Sequence, residues 1–359
     1  MDLEILTRAR APLRLGLAGG GTDLSPYCDT FGGAVLNATI DRFAYAFISV
    51  RDDDRLVFRA HDLDREETLR CAPEVPEAML LLHRGVYERM IREFNRGEAI
   101  PLTITTTVDV PANSGLGSSS ALIVALVDAF RMFLRIPLGQ YEIARLAFEI
   151  ERLELALPGG RQDQYSAAFG GVNFIEFLPR DRVIVNPLRV SDAIRNEFES
   201  SLVVCFADSA RDAATIIARQ TAGVTQHDER TISAMDRLKA GAVEMKNSLL
   251  MGDIGKMAAV LGESWSSKKL TAAGISNDRV EQLFEVALSN GAMAGKVSGA
   301  GGGGFVFFIV PPEERLGLIS ALAAAGGQAG PVKLTDRGCE AWQIRNYRSR
   351  HRAMVEEGE

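Results

Sequence analysis

Residues 111–121 read PANSGLGSSSA, with glycines and small hydroxyl side chains leading directly into an apolar stretch. Such a loop lets backbone amides approach a phosphate and sets the anion at a helix N-terminus, where N–H groups lack intrahelical acceptors. The serine hydroxyls can add hydrogen bonds or contact Mg2+. An ordinary serine N-cap accounts for part of the pattern, but three serines after a Gly-Leu-Gly turn favour the anion. The chain has no GxxxxGK[ST], so this is not a Walker A loop.

Three further segments carry candidate chemistry. Residues 11–23 (APLRLGLAGGGTD) run from a strand-like segment into a triple-glycine turn closed by Asp23. That carboxylate could hold sugar hydroxyls, and an Asp-capped turn explains it equally well. Residues 296–305 (KVSGAGGGGF) satisfy GxGxxG through Gly299, Gly301 and Gly304. The dinucleotide fingerprint opens a helix, whereas β-prone residues 305–310 follow here, so a loop that cradles a ligand fits better. Residues 159–165 (GGRQDQY) follow a predicted helix bearing Glu149, Glu151 and Glu154. Carboxylates beside a phosphate loop suit phosphoryl transfer: one orients or deprotonates the acceptor while another holds Mg2+. Each acid taken alone is better explained by surface solvation.

These loops need elements to position them. Residue type and periodicity predict strands at 43–50, 102–108, 172–177, 202–207, 305–310 and 341–347. They predict helices at 76–95, at 118–134 (apolar nearly all round), at 142–157, over a long stretch from 211 to 269, and at 277–290 and 313–325. Met235, Leu238, Ala242, Met245 and Leu249 repeat at helical spacing and read as core. The polar tail 348–359 is expected to fray. A chain of 359 residues suggests two domains, and a composition shift over 183–200 puts the division near 190, giving units 1–190 and 191–359.

With 47% hydrophobic and 24% charged residues the chain reads as globular, which excludes disorder, collagen and coiled coil. A net charge of -7 argues against a nucleic-acid-binding surface. Cys28, Cys71, Cys205 and Cys339 form no CxxC, and the four histidines form no HExxH. Neither a disulfide framework nor a zinc site is expected. No apolar run reaches membrane-spanning length and no signal segment opens the chain, so a soluble cytoplasmic protein without membrane contact is expected.

Taken in order, APxR…GTD, PxxxGLGSSS, GxxDQ and KxSGAGGGG resemble the GHMP sugar and metabolite kinases, over about residues 9 to 308. LAGGGTDLSPY, GGRQDQYSAAFGGVNFIEF and SGAGGGGF are most similar to the heptose 7-phosphate kinase branch. Galactokinases carry APGR and GEHTD where this chain has Leu13 and Gly20-Gly21. Mevalonate kinases carry Lys where it has Arg14.

The resemblance implies an N-terminal α/β domain holding the ATP loop and a ferredoxin-like α+β C-terminal domain. It implies ATP and Mg2+, a sugar phosphate as partner, and transfer to the anomeric hydroxyl of heptose 7-phosphate. The 1,7-bisphosphate would serve nucleotide-activated heptose and surface polysaccharide. Gly115, Leu116, Gly117, Ser118, Ser119 and Ser120 would form the ATP loop, Ser119 and Glu151 would hold Mg2+, and Asp163 would be the catalytic acid that Arg14 keeps ionised. A helical wheel instead places Glu154 nearer the apolar face and Glu151 on its flank. Gly20, Gly21, Thr22 and Asp23 would bind the sugar, with Gly301 and Gly302 in the late glycine loop. The substrate phosphate needs local positive charge, for which Arg161, Arg211, Lys268 and Lys269 are candidates, although each is explained more simply as solvated surface. A homodimer is compatible with all of this. The alternatives are a fucokinase-like sugar 1-kinase or a silent sugar sensor; intact Arg14, Ser119, Glu151 and Asp163 argue against the sensor.

Overall fold

The alternating stretches of the first half pair into one large sheet in the computed structural model, which describes residues 3–208 and 213–347. β1 (Leu3–Ala18) and β2 (Gly33–Val50) lie antiparallel at its centre. β3 (Arg55–Ala60), β4 (Arg65–Arg70), β5 (Leu102–Val108), β6 (Val172–Leu178) and β7 (Arg182–Pro187) extend it. The β3–β5 pair is parallel and the remaining pairs are antiparallel. The helices of this part are α1 (Tyr27–Phe31), α2 (Leu81–Phe94), α3 (Ser118–Leu134), α4 (Gln140–Phe148) and α5 (Gln162–Phe169). α3 has the predicted bounds, and every residue from Ser120 to Phe130 is buried, as an apolar run with no polar face requires.

After α6 (Asp192–Ser200) the chain builds a second, four-stranded sheet. β8 (Leu202–Asp208) leads to α7 (Ala213–Thr225), α8 (Glu229–Met251), α9 (Ile254–Lys269) and α10 (Asp278–Ser289). β9 (Ala294–Val297), β10 (Gly304–Ile309), α11 (Arg315–Ala324) and β11 (Gln328–Gly330) complete it. The spatial order is β11-β8-β10-β9 with antiparallel neighbours, the ferredoxin-like plan with extra helices inserted after its first strand. β12 (Glu340–Tyr347) then crosses back and pairs with β1, so the end of the chain belongs to the first sheet.

Three predicted helices differ from what forms. The helix expected from residue 76 starts at Leu81, because the Glu67 carboxylate accepts from the N–H groups of Met79 and Leu80 and holds that approach off the helical path. The helix expected over 142–157 changes pitch: Glu149–Glu154 is a π-helical turn, closed by an i→i+5 bond from Leu155 N to Ile150 O. The long stretch to 269 is three helices. Asp228 and Asp253 interrupt it by accepting from Thr231 N and Lys256 N, as N-caps do. Residues 211–212 and the tail 348–359 lie outside the described residues. The heptad-like set Met235, Leu238, Ala242, Met245 and Leu249 is buried. Among the described residues no helix is long and apolar enough to cross a membrane.

Candidate active site

A cleft of about 440 Å3 runs between β1 with its glycine turn, the start of α3, the loop before α5 and the β9–β10 turn. α3 begins on Gly117, whose φ is +76°, with no side-chain cap. The N–H groups of Ser118, Ser119 and Ser120 therefore meet the cleft without an intrahelical acceptor. Gly115 (φ +77°) and Gly117 are the positions where glycine is required. A Cβ on Gly115 would stand 2.5 Å from the Ser298 carbonyl oxygen, and one on Gly117 would stand 3.2 Å from Asp163 Cγ. This cradle of free amides fits a phosphate chain.

Asp163 sits in the first turn of α5 and faces that loop. Arg14 reaches it from β1, just past a register irregularity between Pro12 and Arg14. Its Nε donates to Asp163 Oδ1 at 2.7 Å and its Nη2 to Oδ2 at 2.9 Å. Nη1 donates to the Gly115 carbonyl at 2.8 Å and to Ser298 Oγ at 3.2 Å. The planar fork thus fixes the carboxylate and ties it to both glycine loops.

Glu151 is delivered by the π turn and is 1% exposed. Its Oε1 accepts from Ser119 Oγ at 2.8 Å, and its Oε2 accepts from Ser120 Oγ at 2.7 Å and Gln164 Nε2 at 2.6 Å. Arg152 Nη1 lies 3.2 Å from Oε1. Glu154 is on the outside, paired with Arg89 and Arg92. The helical wheel misplaced these two acids because it assumes α-helical pitch, which the π turn abandons. Arg89 on α2 pairs with Glu149 as well as Glu154 and so clamps both ends of that turn. One carboxylate plus one hydroxyl beside a phosphate cradle fits Mg2+, which keeps several waters and takes its other ligands from substrate phosphates. Among the described residues no cluster of three or more His, Cys, Asp or Glu offers an all-protein cage.

The glycine-turn end is built differently from the expectation. Gly20, Gly21 and Asp23 line the cleft. Asp23 also works as a structural cap: Oδ1 accepts from Gly21 N and Gln162 Nε2, and Oδ2 accepts from Gln162 N at the start of α5. Thr22 is fully buried, donates to the Gly19 and Ala34 carbonyls, and does not line the cleft. Leu116 is buried beneath its loop. In the late loop Gly299 and Ala300 line the cleft, whereas Gly301 and Gly302 pack against Ile275.

The basic candidates separate sharply. Lys268, at the end of α9, is buried in the cleft and donates to the Gly20 carbonyl at 3.0 Å. Lys269 is exposed, pairs with Glu281 and lies outside the cleft. Arg161 pairs with Asp29 and Asp181 and covers the Phe148 ring in an adjoining hollow. Arg211 lies outside the described residues. Two cleft residues escaped the sequence reading. Lys296 on β9 donates to the Gly16 carbonyl at 2.9 Å, and Arg152 donates to the carbonyls of Leu157, Pro158 and Gly160. Lys296 stood at the head of the glycine-rich segment, the one signal that could have found it. Burial pushes Lys268 down to about 8 and Lys296 down to about 7.

The family model for the GHMP kinases N terminal domain matches residues 81–171, and that for the GHMP kinases C terminal matches residues 231–328. The D-glycero-alpha-D-manno-heptose 7-phosphate kinase of Campylobacter jejuni is 42% identical, over 94% of this chain and 99% of that protein. A crystal structure described as a D-glycero-D-manno-heptose 1-phosphate kinase from Bacteriodes thetaiotaomicron is 42% identical with a TM-score of 0.80, over 94% of this chain and 99% of that one. A putative sugar kinase from Campylobacter jejuni superposes with a TM-score of 0.77 at 38% identity, over 94% of this chain and 98% of that one.

Proposed function

The chain belongs to the GHMP kinase family and is a sugar kinase, and from that premise we propose that it transfers the γ-phosphoryl group of ATP to the anomeric hydroxyl of a heptose 7-phosphate. The observation that carries the reading is the Arg14–Asp163 pair, set between the uncapped start of α3 and the glycine turn. The amides of Ser118, Ser119 and Ser120 receive the nucleotide phosphates. Ser119 and Glu151 are the residues that would hold Mg2+, which supplies neutralisation of the charge on the phosphate oxygens. Asp163 accepts the proton of the acceptor hydroxyl as the new O–P bond forms and the bond to the ADP oxygen breaks. Arg14 holds Asp163 in line for that transfer. The two heptose kinases compared above are named for different phosphate positions. A sugar already carrying phosphate at C1 has no anomeric hydroxyl left to react, so C7 is taken as the position already filled.

A panel of hexoses, heptoses and their terminal phosphates, assayed with ATP and Mg2+ and read by phosphorus NMR, tests this. Heptose 7-phosphate is expected to surpass free heptose by hundreds-fold in kcat/KM, since charge-assisted hydrogen bonds contribute about 1.5–3 kcal/mol each. Its product should gain phosphate at C1. Fucose or galactose turned over equally well would overturn the substrate and leave a fucokinase-like sugar 1-kinase.

The metal assignment has its own test. Glu151→Gln is expected to raise the Mg2+ concentration for half-maximal rate by roughly tenfold or more, because an amide replaces an anionic ligand of a hard cation. Glu154→Gln should leave it unchanged. A Mg2+ titration of both variants checks this, and the reverse pattern would reassign the ligand.

A further inference from the structure

Lys268 and Lys296 are buried cations that the phosphoryl-transfer residues leave unused. They are 4% and 2% exposed, they come from different elements, and they converge on one stretch of backbone, the Gly20 and Gly16 carbonyls. Among the described residues no ion pair holds either ammonium, and each has one protein acceptor for its three donors. The neighbouring carboxylates are already engaged: Asp163 by Arg14, and Asp23 by Gly21 and Gln162. Gln162 also flanks this backbone, its side chain 3.9 Å and 3.7 Å from where Cβ atoms on Gly16 and Gly20 would stand. The lysine pair therefore lies on the glycine-turn side of Asp163, while the start of α3 lies beyond Gly117.

Burial disfavours charge on both lysines, and an uncharged sugar would do nothing to restore it, whereas a phosphate dianion would favour both charged forms. We propose that Lys268 and Lys296 form the subsite for the phosphate that the acceptor sugar already carries, a dianion seated between the two ammonium groups along the Gly16–Gly20 backbone. This rests on the sugar-phosphate reading above and names the residues that make the enzyme select a phosphorylated acceptor. The charged groups facing the pair are Asp23, which favours a charged Lys268, and Arg14, which disfavours charge on both lysines; Lys268 in turn disfavours charge on Lys296. With burial added, the free enzyme holds both lysines poised to lose protons between about 7 and 8. A bound dianion favours their charged forms, so binding takes up protons above that range, and affinity falls as pH rises through it.

The test compares heptose 7-phosphate with free heptose. Lys268→Met and Lys296→Met should each lower kcat/KM for heptose 7-phosphate by about ten- to a hundredfold more than they lower it for free heptose. Calorimetry on the unaltered enzyme at pH 8, in buffers of different ionisation enthalpy, does not depend on the variants folding. Heptose 7-phosphate should bind with proton uptake and free heptose without it. Equal losses on both sugars, unchanged rates on both, or binding of heptose 7-phosphate with no proton uptake would each overturn the subsite while the kinase reading stands. If the unaltered enzyme turns over neither sugar, the proposed substrate falls and the subsite falls with it.

Discussion

Asp163→Asn is expected to lower kcat by about 10²–10⁴-fold while nucleotide affinity stays within a few-fold, the range that positioned proton transfer contributes. The amide keeps the shape of the side chain and can still meet Arg14 through its oxygen, so the fold around α5 should persist. It carries no charge and does not accept the acceptor's proton. The amides proposed to receive the nucleotide lie elsewhere, at the start of α3. Single-turnover kinetics with a separate nucleotide-binding titration make the distinction. A variant with near-normal turnover would remove Asp163 from the mechanism. A variant that lost nucleotide binding in parallel would assign it to the loop around Gly117, where an added Cβ would stand 3.2 Å from Asp163 Cγ.

Arg14→Met should fall nearly as far, by about 10²–10³-fold, through the loss of a preorganised charge next to the reacting groups. The stem length is kept, so the defect isolates the guanidinium. Arg14 touches both Asp163 oxygens, Gly115 and Ser298, and its removal frees the carboxylate and loosens two loops at once. Lys at this position should not restore full activity, because an ammonium cannot span both oxygens. Residues acting as one unit are strongly non-additive. The Arg14→Met/Asp163→Asn double variant should therefore lose little more than Asp163→Asn alone. Losses that multiply would show that the two side chains act independently. A double-mutant cycle in kcat decides between these outcomes.

What could be read before the fold was known depended on how local the governing physics is. The glycine-serine turn into α3 was legible because everything it needs is local: glycines for a left-handed backbone, small hydroxyl residues, and an apolar run that must be a helix. α3 and β5 carry their predicted bounds for the same reason, since burial pattern alone defines them. Asp163 and Arg14 could be singled out only through resemblance, because they are 149 positions apart and nothing local pairs them.

The tertiary structure decided matters that no helical wheel or residue type could. A π turn, clamped by Arg89 from another helix, turned Glu151 inward to Ser119 and sent Glu154 to the surface. Two aspartates cut one apparent helix into three by capping. β12, which follows the second sheet in the chain, returned to pair with β1 in the first sheet. Lys268 and Lys269 are adjacent and alike in sequence, yet one is buried at the cleft and the other solvated. The sequence determined which residue types and loops are available for phosphate and carboxylate chemistry, because backbone geometry and residue type are local. Which charges are buried together was decided by packing between distant elements, because desolvation and pairing depend on neighbours that only the folded chain supplies.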